Sequence, residues 1–148
     1  MPGMLIPGDL ERILKHQQVA AADQAAWTDQ HFCRSDGVKV LTRDGLMQIP
    51  TITPRLTDQG CVFWDKGRCR IHAVSPYGCS HYDSHMGRDE GDQVTRHGLV
   101  AIRHGAEAYY ATWNQLTTQA QPLAERRARY NEIHRQLESP CSSESPST

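Results

Sequence analysis

The chain has 148 residues, enough for one domain and short of two of ordinary size. Leu, Ile, Val and Phe supply only 26 of them, a level at which many chains stay disordered, but a net charge of -1 with three Trp and five Tyr argues for a folded domain with a thin core. No apolar stretch approaches the ~20 residues of a membrane span, the opening Met1-Pro2-Gly3-Met4-Leu5-Ile6-Pro7 lacks the basic and apolar regions of a signal peptide, and balanced charge without a basic run gives no electrostatic case for nucleic acid.

Leu5-Ile6-Pro7-Gly8 reads as a short extended piece. Asp9 then reads as the N-cap of a helix from Leu10 to about Gln18, with Glu11 in its first turn and Leu10, Ile13 and Leu14 facing inward. A second helix is predicted from about Asp23 to Phe32, carrying Ala25, Trp27 and Phe32. Val38-Lys39-Val40-Leu41-Thr42 and Leu46-Met47-Gln48-Ile49 alternate around Asp44-Gly45, a hairpin pattern. Pro50 and Pro54 predict an extended, irregular path after it. Cys61 to Trp64 and Cys69 to His72 flank Asp65-Lys66-Gly67-Arg68, a second tight turn, and the stretch from Ser75 to Met86 shows little regular pattern.

The last third reads as helical. Leu99, Ile102, Ala106, Tyr109, Trp113 and Leu116 share one face of a helix predicted from about Asp92 to Gln119. Pro122 suits the first turn of another, reaching about Glu138 with Leu123, Tyr130, Ile133 and Leu137 inward. Residues 139–148, rich in Ser and Pro and containing Cys141, read as a disordered tail. The expected fold is α+β: one small domain over residues 1–138, with N-terminal helices, an irregular Cys/His-rich centre carrying short β-hairpins, and two C-terminal helices.

Chemistry-bearing residues concentrate in the centre, where Cys61, Cys69, His72, Cys79, His81 and His85 fall within one short stretch. Thiolate and imidazole are the donors that zinc and iron prefer. Cys69 and His72 are close enough in sequence to reach one ion, and His81 and His85 would share a face if their stretch were helical. No C-x-x-C occurs, so spacing defines no geometry, and small buried cysteines beside surface histidines are the bland alternative. Five cysteines without an export signal point to the cytosol. Cys79, His81 and Asp83 could be drawn as a nucleophilic trio, but no oxyanion hole or nucleophile elbow accompanies them. His16, His31, His97, His104 and His134 read as polar residues on helices.

The run from Gly60 to Cys79, GCVFWDKGRCRIHAVSPYGC, resembles the central motif of the YkgJ-like cysteine-cluster proteins, described as a zinc- or iron-chelating domain. Cys61, Cys69 and Cys79 match the three cysteines of that motif, and Gly67, Ile71 and Pro76 match its framework. Ser75 stands where many members have Arg. Met4 to Leu10 is similar to the strand-to-helix segment that follows a compact cysteine group in the family, and this sequence starts at Met1 without that group. Cys33 and the histidines are then the residues available to fill the vacancy.

Three functions follow as expectations. The first is a cytosolic metal-binding protein holding zinc or iron through Cys61, Cys69 and Cys79, with His81 before His72 or His85 completing four-coordination. The second is a redox or modifying enzyme built on an iron–sulfur cluster, which would need more closely grouped cysteines. The third is a helical interaction module whose C-terminal helices pack on a protein partner or a second copy, leaving Tyr109, Trp113 and Tyr130 partly exposed and the Cys motif a relic.

Overall fold

The computed structural model describes residues 3–83 and 85–118. The helix expected over 122–138 and the tail at 139–148, with Tyr130, His134 and Cys141, lie outside the described residues. Within them the chain is an α+β domain. Two helices, α1 (Asp9–His16) and α2 (Gln24–His31), precede a long hairpin of β1 (Phe32–Thr42) and β2 (Gly45–Pro54). Two miniature hairpins follow, β3 (Leu56–Thr57) with β4 (Gly60–Cys61) and β5 (Trp64–Asp65) with β6 (Arg68–Cys69). A short helix, α3 (Tyr77–His81), leads to α4 (Arg88–His104) and α5 (Ala106–Gln115).

Helix α1 carries acidic Glu11 in its first turn and basic Lys15 and His16 in its last, the arrangement its dipole favours. It ends earlier than its predicted boundary at Gln18, because Gln18 adopts φ 54 and the chain reverses there. The Val19 amide donates to the Leu14 carbonyl and the Gln18 amide to that of Lys15, which satisfies two carbonyls the helix end would orphan. Ile13 and Leu14 are buried as predicted, whereas Leu10 is only partly covered.

The β1–β2 hairpin pairs Thr42 with Gly45, so Arg43 and Asp44 form the turn and Gly45 follows at φ 115. The predicted turn pair, Asp44-Gly45, is thus displaced by one residue. The irregular path expected at Pro50 and Pro54 is also corrected, since both lie inside β2. Ser35 pairs with Thr51 and Val38 with Ile49, leaving Asp36 and Gly37 bulged opposite Pro50. A bulge is where a residue without an amide hydrogen costs the ladder least.

The core gathers Met4, Leu5, Ile13, Phe32, Ile52, Phe63, Ile71, Leu99, Ile102, Tyr109 and Leu116 from every part of the described chain. Trp27, His31, Phe32 and Phe63 form an aromatic stack at one end, with His31 4.0 Å from Trp27 and 5.3 Å from Phe63 between ring centres. Tyr109 joins three elements: its hydroxyl accepts the Ile52 amide at 2.8 Å and donates to the Leu5 carbonyl at 2.9 Å. Burial pushes that hydroxyl's pKa well above the usual tyrosine range. Tyr109 is therefore interior, contrary to the exposure that the interaction-module reading expects of it; Trp113 is half-buried, with the Arg34 guanidinium 5.0 Å from its ring centre.

The single helix expected from Asp92 to Gln119 is two helices meeting at Gly105. A Cβ at Gly105 would lie 2.5 Å from the Pro7 ring, so the N-terminal segment packs directly on the junction. Gly98 on α4 makes a similar close approach, where a Cβ would meet Met4 at 2.3 Å and the Tyr77 ring at 2.8 Å. Residues 3–9 thus run between α4 and α5 on one side and α3 on the other.

Candidate metal centre

Three cysteines reach the centre from three separate elements. Cys61 ends β4, opposite Leu56. Cys69 ends β6, opposite Trp64, across a two-residue turn in which Lys66 and Gly67 both have positive φ (45 and 83). That turn geometry matches the natural twist of a hairpin and explains the Gly at its second position. Between them Phe63 is buried in the aromatic stack, and its carbonyl accepts the Arg70 amide at 2.8 Å, which extends the β5–β6 hairpin by one pair.

Cys79 comes from α3, and α3 is held by the N-terminal segment. The Tyr77 amide, first in the helix, donates to Asp9 Oδ2 at 2.9 Å, and the next amide, Gly78, donates to the Met4 carbonyl at 2.8 Å. Asp9 also accepts the Ile6 amide at 2.9 Å and pairs with Arg12, whose guanidinium reaches the Ser75 carbonyl. Only 2 % exposed, Asp9 is the first residue of α1 and not the N-cap that the sequence predicts. Gly8 occupies the cap position at φ 91, which frees the Asp9 carboxylate to serve α3.

The thiols of Cys61 and Cys79 are both held above the usual cysteine value. Cys61 is pushed up by desolvation and by Cys69, against lowering contributions from the Phe63 amide and Arg70. Cys79 is an exposed residue, yet its thiol is also pushed up by local desolvation and then by Cys61, with Cys69 and Asp9 adding to this and the Gly3 amide opposing it. Neighbouring thiols therefore disfavour ionisation of Cys61 and of Cys79, and a bound cation would offset that repulsion. Among the described residues, no three Cys, His, Asp or Glu side chains close into an ion-sized cage.

The histidines are placed differently from one another. His81 is the last residue of α3; its ring stacks on Tyr77 with centres 4.3 Å apart, and its Nδ1 lies 3.0 Å from the Tyr77 carbonyl. A carbonyl can only accept, so Nδ1 carries the hydrogen and a neutral His81 presents its lone pair on Nε2. His72 opens a turn of 3-10 helix at His72–Val74 and is exposed. His85 is exposed beyond the end of α3, its amide donating to Asp83 Oδ1 at 2.9 Å. Since α3 stops at His81, the shared helical face expected of His81 and His85 does not form. Cys33 is buried on β1 with its sulfur 3.6 Å from both the carbonyl and hydroxyl oxygens of Thr53, a structural position.

Sequence reasoning missed the supports of α3: the Asp9 carboxylate and the Met4 carbonyl. Only Asp9 left a signal, as an acidic residue at the start of a helix. The chain matches no family model, no curated protein and no solved structure.

Proposed function

We propose that this chain is a metal-binding protein that holds one zinc or iron ion through Cys61, Cys69 and Cys79, with His81 as the fourth ligand. The observation that carries the reading is the convergence of thiols from β4, β6 and α3, near enough that Cys69 raises the Cys61 thiol and Cys61 and Cys69 raise that of Cys79. Sulfur, with an imidazole whose other nitrogen is tied to a carbonyl, is a donor set suited to these ions. The resemblance of Gly60 to Cys79 to the YkgJ-like motif supports the same three cysteines. His81 ranks above His72 and His85 because its ring is oriented by Tyr77. An ion there would supply a closed structural centre, binding the two miniature hairpins to α3, and the thiols require a reducing compartment such as the cytosol.

Cobalt titration of protein reduced and stripped of metal tests the ligand set. The reading expects saturation at one equivalent with a sulfur-to-cobalt charge-transfer band, lost in Cys69→Ser and shifted in His81→Ala but not in His72→Ala. A titration that never saturates, or a band unchanged in Cys69→Ser, contradicts it. Brown colour with labile sulfide in anaerobically purified protein would favour the iron–sulfur reading instead.

A further inference from the structure

Val100 on α4 is 53 % exposed, and its neighbours on the helix surface are two arginines and two histidines. Arg96 and His97 stand four and three residues before it, and Arg103 and His104 three and four after it, the spacings at which helical side chains adjoin. The pair Arg-His thus recurs after two turns, about 10 Å along the axis, with one apolar side chain between the copies. We propose that this face of α4 docks an acidic segment of a partner protein. An aliphatic side chain of that segment meets Val100, and its carboxylates meet the two guanidiniums and the two imidazoles.

The state of these side chains is the first argument. All four are exposed, and none makes a hydrogen bond or an ion pair among the described residues. Asp92 stands four residues before Arg96 and Glu107 four after Arg103, a spacing at which exposed pairs form, and neither pair closes. The dipole of α4 accounts for Arg103 and His104 in its last turn, but not for Arg96 and His97 farther back, where that effect has died away. Packing does not account for them either, since the helix gives Gly98, Leu99 and Ile102 to the interior.

The kind of partner follows from the rest of the face. Asp89 and Asp92 are exposed on the same side of α4, two to three turns ahead of Val100. A nucleic-acid strand or an anionic membrane lying along the helix would meet those carboxylates, whereas a short acidic segment covers only the half from Arg96 to His104. Guanidinium pairs with carboxylate through two parallel N–H bonds, and an imidazole N–H donates one more in either protonation state. An apolar centre inside a polar rim is the anatomy of a protein contact.

Amide spectra of the full chain, titrated with the blocked peptide Glu-Glu-Leu-Leu-Glu-Glu, test this. Helix α4 carries none of the proposed metal ligands, so the result stands apart from the metal reading. The proposal expects saturable shifts centred on Arg96 to His104, with a Kd of about 1 mM or tighter. Gln-Gln-Leu-Leu-Gln-Gln should leave the spectrum unchanged. Arg96→Gln with Arg103→Gln should weaken binding at least about tenfold, and Val100→Ser about threefold, each with the wild-type spectrum outside α4. Absence of saturable shifts, equal shifts with the Gln peptide, or undiminished binding by the double variant overturns the proposal. So do α4 shifts that follow protein concentration without peptide, which would place a second copy on this face. Tighter binding of oligothymidylate or of phosphatidylserine vesicles than of the peptide overturns it as well, in favour of a polyanion or a membrane.

Discussion

The Asp9 carboxylate accepts the backbone amide of Tyr77 at 2.9 Å, joining the start of α1 to the start of α3 across 68 residues of sequence. A helix as short as α3 does not hold itself together; nucleation costs exceed what a single turn returns. Asp9 and the Met4 carbonyl satisfy its first two amides, and so fix the helix that carries Cys79.

Replacing that carboxylate should therefore affect both folding and the thiol cluster. Asp9→Ala leaves the Ile6 and Tyr77 amides without their acceptor in a buried setting, a loss of about 3 kcal/mol by urea unfolding. Arg12→Ala, which removes only the half-exposed ion-pair partner, should cost less than about 1 kcal/mol. Equal effects from the two variants would mean that the ion pair, not the amide bonds, is what matters.

Tyr109→Phe isolates a single oxygen. Its hydroxyl stands between the Ile52 amide and the Leu5 carbonyl, and deleting it leaves a buried donor and a buried acceptor unpaired while the ring stays in place. The expected loss is about 2 kcal/mol, read as a shift of the urea midpoint at unchanged slope. A neutral substitution would show that the N-terminal segment does not depend on this bridge.

Asp29 makes the end of α5 sensitive to acid. The amide and hydroxyl of Thr117, followed by the Arg55 guanidinium, hold its pKa below the ordinary carboxylate value, so its folded pKa lies under its unfolded one. Its contribution is then fully present above the unfolded value of 3.8 and is lost as pH falls through the folded value. Wild type should lose stability through that acidic window more steeply than Asp29→Asn. Parallel stability curves for the two proteins below pH 4 would contradict this.

The helices and hairpins of this fold were readable because their signals are local. Ile13 and Leu14, and the series Leu99, Ile102, Tyr109 and Leu116, repeat at helical spacing and are buried. The break at Gly105 escaped notice because a one-residue interruption keeps the apolar face in register; its reason is the Pro7 ring, almost a hundred residues earlier. Pro50 looked disruptive because its bulge belongs to the other strand, at Asp36 and Gly37. The thiol cluster was legible as a set of residue types. Its scaffold was not, because Asp9 and Met4 act on α3 through its backbone amides, which no sequence spacing relates to them.

The thin core noted in the composition remains the physical motive for the metal reading, since a structural ion can contribute ~10 kcal/mol to folding, as much as a domain's whole net stability. The most direct measurement is elemental analysis of the full chain purified under reducing conditions without added metal, paired with a melt before and after chelator. The account predicts about one equivalent of zinc plus iron, absent from Cys61→Ser/Cys69→Ser/Cys79→Ser, and a large fall in melting temperature when the wild type is stripped. Less than about 0.2 equivalents, with a cooperative melt that chelator leaves unchanged, would contradict it.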